Sequence, residues 1–216
     1  QREKNDLLRQ NLDVYVRPTS AYSTLGWFSD PIFSTHLNYD VIDLASLIIH
    51  EMVHTTVYFK NNTQFNENIA SFIERTGTLT YIENTFGKKS ILYNEAINRF
   101  HDEDMFSHWI YNCVEKLNKF YEKSSKDDNL MNIREAFFKE LKLEFSKLIF
   151  STGQYRHFKE IELNNAVFVH FNTYLGDQEL LEKLFLKMNR NYFKFIYYLK
   201  SLKENADPIQ QIKENL

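Results

Sequence analysis

The chain has 216 residues, which is enough for one substantial domain with a hydrophobic core. Hydrophobic residues make up 43% and charged residues 25%, and the net charge of −3 comes without a long basic run, so a nucleic-acid partner is not expected. The single cysteine, Cys113, excludes an intramolecular disulfide and a cysteine metal cluster, and no apolar stretch is long enough for a membrane-spanning helix.

The N-terminal part is predicted to form a short helix followed by a small sheet. Glu3–Gln10 carries leucines among charged residues and favours a helix. Asp13–Val16 alternates in polarity, and Ala21–Phe28 is similar, with Gly26 near its end. We predict that these two segments are strands of the sheet and that Asp30-Pro31 ends it.

Beyond this region, the scarcity of glycine (5) and proline (3) predicts long helices. Asn38 or Asp40 caps a helix over Val41–Val57, whose apolar residues recur at helical spacing. A second helix is predicted from about Asn66 to Tyr81. The remaining predicted helices are Ser90–Tyr121, Met131–Phe150, Leu163–Leu175, Gln178–Met188 and Tyr192–Leu202. The expected organisation is a single domain over residues 1–216, ending in a polar tail at 206–216.

The stretch His50-Glu51-Met52-Val53-His54 has the pattern of a zinc site. Residues four apart on a helix lie one turn apart on the same side, so both imidazoles can bind one Zn²⁺. Glu51 is rotated by about 100° from His50 and is placed to act as a general base on water instead. The sequence therefore predicts one zinc ion per chain, with His50 and His54 as ligands.

A third ligand is expected from the next predicted helix. Glu67 stands near its start and shares a face with Ala70, Ser71 and Glu74, and the small side chains of Ala70 and Ser71 allow the two helices to approach closely. Glu67 is the predicted ligand, although a plain helix-start carboxylate is the alternative. Glu74, with Ser71 beside it, is placed to orient one histidine by accepting its free ring N–H, and a surface acid is the alternative for Glu74.

Four further side chains are candidates for stabilising an oxyanion. They are Tyr155, Tyr174, His157 and His170, which carry donors suited to that task and lie in a region that could return to the site. A core or surface role is the alternative for each.

Several segments together resemble the bacterial "putative aminopeptidase" family of predicted zinc peptidases. The resemblance rests on Ala21–Pro31 (AYSTLGWFSDP), the HExxH motif and Phe65–Phe72 (FNENIASF), with support from Asn11–Val16 and from Leu163–Ala166 followed by Tyr174. It runs roughly from Leu8 to Lys203.

The resemblance implies a zincin-like fold, mainly α with a small N-terminal sheet (α+β), and a gluzincin ligand set with a downstream glutamate. It also implies a strand that holds extended peptide substrate, here Ser23, Thr24, Leu25 and Gly26. Family members usually have an upstream segment with a lipoprotein-type signal, so a truncated N-terminus and a cell-envelope location, periplasmic or lipid-anchored, are expected. One departure is Ser71, which stands where related sequences often carry an acid.

The expected function is hydrolysis of peptide bonds by a zinc-dependent peptidase, with a peptide as substrate and Glu51 as the general base. Two alternatives remain at the level of sequence. One is a catalytically inactive zinc-binding interaction module of zincin fold, and the other is a metal-free helical scaffold in which the motif is accidental.

Overall fold

The computed structural model describes residues 2–17, 34–124, 129–172, 177–202 and 207–216. Within these ranges the chain forms nine α-helices and two short 3₁₀ helices, Ser34–Asn38 and Arg156–Glu160. The α-helices are α1 (Arg2–Arg9), α2 (Val41–Thr56), α3 (Thr63–Phe86), α4 (Ile91–Ser124), α5 (Leu130–Ser146), α6 (Asn165–Asn172), α7 (Gln178–Lys187), α8 (Tyr192–Ser201) and α9 (Pro208–Asn215).

The prediction of a mixed α+β fold with a small N-terminal sheet is wrong, because the described ranges contain helices and no β-strand. Residues Asp13 and Val14, predicted to lie in a strand, bond instead to two residues at the start of α6. The Asp13 carboxylate accepts the Asn165 main-chain N–H at 3.1 Å, and the Val14 carbonyl accepts the Asn164 side-chain amide at 3.1 Å. The other predicted strand, Ala21–Phe28, lies outside the described residues.

All eight predicted helices are present, with shifted ends. Asp40 caps α2 by accepting the N–H groups of Ile42 and Asp43. The next helix begins earlier than predicted, at Thr63, because the Asn62 side chain caps it by accepting the Phe65 N–H at 3.3 Å. Glu67 consequently lies more than one turn inside α3. The predicted polar tail contains a further short helix, α9.

The chain divides into two compact units. The first unit comprises Gln1–Pro18 with Ile97–Thr173, and the second comprises Thr19–Ala96 with Tyr174–Leu216, so the division falls inside α4. In the described part of the chain, none of the helices is both long and apolar enough to cross a membrane.

The first unit is built around aromatic side chains. Phe106 packs face to face on Tyr155 at 4.3 Å between ring centroids, and Trp109 and Phe145 lie 5.0 Å apart. Asp102 of α4 is fully buried and accepts two main-chain N–H groups, those of Ser151 and Thr152, together with the Thr152 hydroxyl. These bonds fasten the segment after α5 to α4.

The second unit holds the predicted zinc motif, and its core fixes α3 in place. The buried core draws side chains from α2, α3, α7, α8 and α9, together with Val57 just after α2. Phe72 of α3 lies 5.6 Å from Phe185 of α7 and 5.5 Å from Phe195 of α8, measured between ring centroids. This packing fixes one face of α3 and leaves another face toward α2.

α2 and α3 pack closely and run antiparallel. His54 contacts Glu67, His50 contacts Glu74, and the hydroxyls of Ser46 and Thr78 are 3.2 Å apart. Residue numbers therefore decrease along α2 as they increase along α3 from one contact to the next. We call this row of polar contacts the α2–α3 seam.

Gly77 of α3 lies where α2 and α3 approach closely. A Cβ at this position would lie 3.4 Å from both Cδ1 and Cγ2 of Ile49, which is van der Waals contact. We expect Gly77→Ala to be tolerated, since alanine gains about 1 kcal/mol of helix propensity over glycine. We expect Gly77→Leu to destabilise the protein by about 1–3 kcal/mol through overpacking against Ile49. Urea denaturation of both variants measures the difference, and equal stability would contradict the close packing.

Candidate metal centre

His50 and His54 lie one turn apart on α2 and turn the same ring nitrogen toward each other. Their Nε2 atoms are 3.1 Å apart, and the rings meet edge to face with centroids 4.8 Å apart. The spacing of four residues on a helix accounts for the shared direction of the two side chains.

Glu67 of α3 completes a triangle with the two histidines. Its Oε2 lies 3.4 Å from His50 Nε2, and its Oε1 lies 3.6 Å from His54 Nε2. Tetrahedral zinc with bonds of about 2.0–2.2 Å places its ligand atoms roughly 3.3–3.6 Å from one another. The two distances from Glu67 fall in this range but involve different carboxylate oxygens, and the two histidine Nε2 atoms lie slightly closer, at 3.1 Å. One ligand atom from each residue lies within 4.8 Å of the others, so the group could hold a metal ion.

Glu74 holds the His50 ring from its other side. Its Oε2 accepts a hydrogen bond from His50 Nδ1 at 2.8 Å. Because an ionised carboxylate can only accept, this bond keeps the proton on Nδ1 and leaves Nε2 directed at His54 and Glu67. The role of Glu74 in orienting a metal-bound His50 stays a prediction, and this contact is the one that the role requires.

The triangle is enclosed but not sealed from solvent. The exposed fractions of the side chains are 17% for His50, 10% for His54 and 20% for Glu67. An ion bound here would be held mainly by protein atoms, with an opening left for a further ligand.

The two histidines differ in protonation. Burial alone lowers the pKa of His50, but the hydrogen bonds and charges of Glu67 and Glu74 outweigh it and raise that pKa to about 10. Burial and the charge on His50 lower the pKa of His54 below its usual value. Burial raises the pKa of Glu67, but the hydrogen bond from His50 and the charges of both histidines bring that pKa below its usual value. The metal-free cluster therefore holds its proton on His50.

Glu51, the predicted general base, is half-buried on α2, next in sequence to His50. Its charge acts on His54, since it raises the pKa of that ring. Among the described residues no hydrogen bond or ion pair is formed by the Glu51 carboxylate. Its catalytic role stays a prediction.

The remaining predicted site residues are distributed as follows. Ser71 is half-buried on α3, one turn after Glu67, whereas Ala70 is fully buried in the core. Tyr155 belongs to the first compact unit, where its ring packs on Phe106. Tyr174 and the predicted substrate strand, residues 23–26, lie outside the described residues.

The two histidine candidates for stabilising an oxyanion also belong to the first compact unit. The His157 side chain is 90% exposed and faces Glu160, with 3.6 Å between Nδ1 and Oε2. His170 lies beside Tyr15, with 5.5 Å between ring centroids. These positions do not test the predicted role of His157 and His170 in stabilising an oxyanion, which stays a prediction.

The sequence predicts Asn66 only as the start of a helix, whereas its side chain bonds the main chain of Phe59, beside the candidate ligand Glu67. An asparagine at the start of a predicted helix has the pattern of a cap, and that pattern does not reveal a contact with a residue seven positions earlier. Its burial, at 4% exposure, is visible only in the folded chain.

A model of the protein family described as "Putative aminopeptidase" matches residues 1–215. No curated protein and no solved structure matches the chain.

The raised pKa of His50 predicts how the stability of the chelator-treated protein depends on pH. Its value of about 10 in the folded state exceeds the ordinary 6.5, so the stabilisation is complete below pH 6.5 and is lost as pH rises toward 10. The free energy of unfolding should fall through this range by at most about 1.4 kcal/mol per pH unit.

The lowered pKa values of His54 and Glu67 act below pH 6.5, and the raised pKa of buried Cys113, about 12, acts only above pH 9. Urea denaturation between pH 6.5 and 9 isolates His50, and the variant His50→Gln should lose most of the slope. An unchanged slope in that variant would contradict the assignment of the proton to His50.

Proposed function

The chain belongs to the "Putative aminopeptidase" family, and on that premise we propose that it is a zinc-dependent peptidase that hydrolyses peptide bonds with Glu51 as general base. One observation carries the proposal. His50, His54 and Glu67 bring two imidazole nitrogens and a carboxylate oxygen within 4.8 Å of one another, and Glu51 lies beside them on the helix that carries the histidines.

The residues that would hold the zinc ion are His50 and His54 through Nε2 and Glu67 through its carboxylate. A bound zinc ion would act as a Lewis acid that polarises the carbonyl of the scissile peptide bond and lowers the pKa of water. Glu74 keeps the Nδ1 proton on His50 and so leaves His50 Nε2 free to bind metal.

Glu51 supplies the proton transfers of the proposed reaction. Its carboxylate takes a proton from the water that adds to the carbonyl carbon, and it returns that proton to the amine nitrogen as the C–N bond breaks. The products are a carboxylic acid and an amine, and Glu51 is restored. Its half-buried position on α2, next to the ligand residues, suits this role.

The ligand set predicts one zinc ion per chain, measured by elemental analysis of the purified protein. His50→Ala or His54→Ala should remove it. Glu67→Ala removes a ligand and should weaken zinc binding more than Glu74→Ala. The Glu74 variant loses only a residue that orients a ligand, which typically costs about 10–100-fold in affinity. Glu83→Ala, at the far end of α3, is the control and should keep full zinc content. Retention of zinc by either histidine variant would refute the site.

Glu51→Gln is expected to separate metal binding from catalysis. The amide nearly matches the carboxylate in size, so the helix and the zinc content should be preserved. The amide cannot take a proton from water, and peptide cleavage should fall by about 10²–10⁴-fold. The assay is a fluorogenic peptide library screened first with the zinc-loaded wild-type protein.

Glu83→Gln provides the matched control, since it makes the same chemical change away from the cluster. Equal cleavage rates for wild type and Glu51→Gln would exclude Glu51 as the base. A zinc-loaded wild type that cleaves no peptide in the library would favour the inactive zinc-binding module instead.

A further inference from the structure

The connection between α2 and α3 is fastened by a buried asparagine. Asn66 accepts the Phe59 main-chain N–H on Oδ1 at 2.8 Å, and its Nδ2 donates to the Phe59 carbonyl at 2.8 Å. The side-chain amide thereby pairs with one residue of the connection as a neighbouring strand would. Asn66 is 4% exposed, so loss of either bond would leave a buried polar group unsatisfied.

The same connection is tied to the first turn of α3 at two more points. The Phe59 carbonyl also accepts the Asn62 main-chain N–H at 3.2 Å, and Asn62 in turn caps α3 at Phe65. The rings of Phe59 and Phe65 pack edge to face at 5.0 Å between centroids. The chain leaving α2 and the start of α3 therefore form one unit of structure.

Glu67 follows Asn66 directly, so this fastening decides where its carboxylate points. A rotation of α3 by one residue would turn Glu67 by about 100° around the helix axis. We propose that Asn66 is a positioning residue, which sets metal affinity by holding the Glu67 carboxylate against His50 and His54. This inference rests on the proposed zinc site and adds to it a residue that touches neither the metal nor the substrate.

Asparagine suits the position because the Phe59 main chain presents both a donor and an acceptor. Only a side-chain amide offers an acceptor and a donor side by side on a short stem. Alanine would supply neither bond. Aspartate would keep the acceptor and the volume but would lose the donor.

A purely structural role for Asn66 would lower stability without a specific effect on the metal. Asn68 offers the matched control. It stands two residues further along α3, is fully buried, accepts from Gln64 and donates to Asp177 at the start of α7. These two contacts join α3 to α7 and to a neighbouring turn of α3 itself.

The test compares the zinc affinities of Asn66→Ala and Asn68→Ala, measured by chelator competition under conditions where circular dichroism shows both variants folded. Asn66→Ala should weaken binding by about 10–100-fold, the range for residues that orient a metal ligand, whereas Asn68→Ala should bind like wild type. If Asn66→Ala does not fold, Asn66→Asp is measured in its place.

A double-mutant cycle then asks whether Asn66 acts through Glu67. If it does, Asn66→Ala should add nothing to the loss already caused by Glu67→Ala. Hydrogen exchange gives a readout without metal, because the Phe59 amide should exchange faster in Asn66→Ala and unchanged in Asn68→Ala.

The possible outcomes distinguish failure of the proposed function from failure of the positioning role alone. Wild-type protein that binds no zinc would overturn the proposed function and this inference with it. Wild-type protein that binds zinc while Asn66→Ala binds equally well would overturn the positioning role alone. Equal losses in the two asparagine variants, multiplied losses in the double variant, or unchanged exchange at Phe59 would also overturn the positioning role.

Discussion

The α2–α3 seam is the constraint on which the candidate site depends. It brings ionisable side chains from two helices into a partly buried row, where an unpaired charge would be costly. Each member is matched: Glu67 faces both histidines, and Glu74 holds the outer nitrogen of His50. Further along, Ser46 meets Thr78, and α3 has a glycine against Ile49, so the helices stay close beyond the charged part.

The hydrophobic core and the seam lie on different faces of α3. Phe65, Ile69 and Phe72 are buried in the core with α7 and α8 residues, whereas Glu67, Glu74 and Thr78 recur at helical spacing on the face toward α2. The core therefore fixes α3 and leaves its polar side chains on the face toward α2. Because the core is close-packed, it also limits how far α3 can rotate to relax the cluster of charges.

The charges of the seam explain why the two histidines are unlike in the metal-free state. His50 has carboxylates on both ring nitrogens, and its pKa is raised to about 10. His54 is also largely buried and lies beside a protonated neighbour, so its pKa is lowered. Metal would take the place of a proton already shared inside the seam, and its affinity would rise with pH for that reason.

The sequence by itself determined what depends on local periodicity. The eight predicted helices, the Asp40 cap and the common direction of His50 and His54 each depend on residues that are close in sequence. The choice of Glu67 and Glu74 as neighbours of the histidines needed the extra assumption that the two helices pack side by side. Only the tertiary structure supplied the distances from Glu67 and Glu74 to the histidines, and the hydrogen bonds between Asn66 and the Phe59 main chain. For the described part of the N-terminal region it also decided against a strand, because Asp13 and Val14 find hydrogen-bond partners at Asn164 and Asn165. An alternating pattern shows that a segment is half-buried, but its hydrogen-bond partners are distant in sequence and are fixed only when the helices pack.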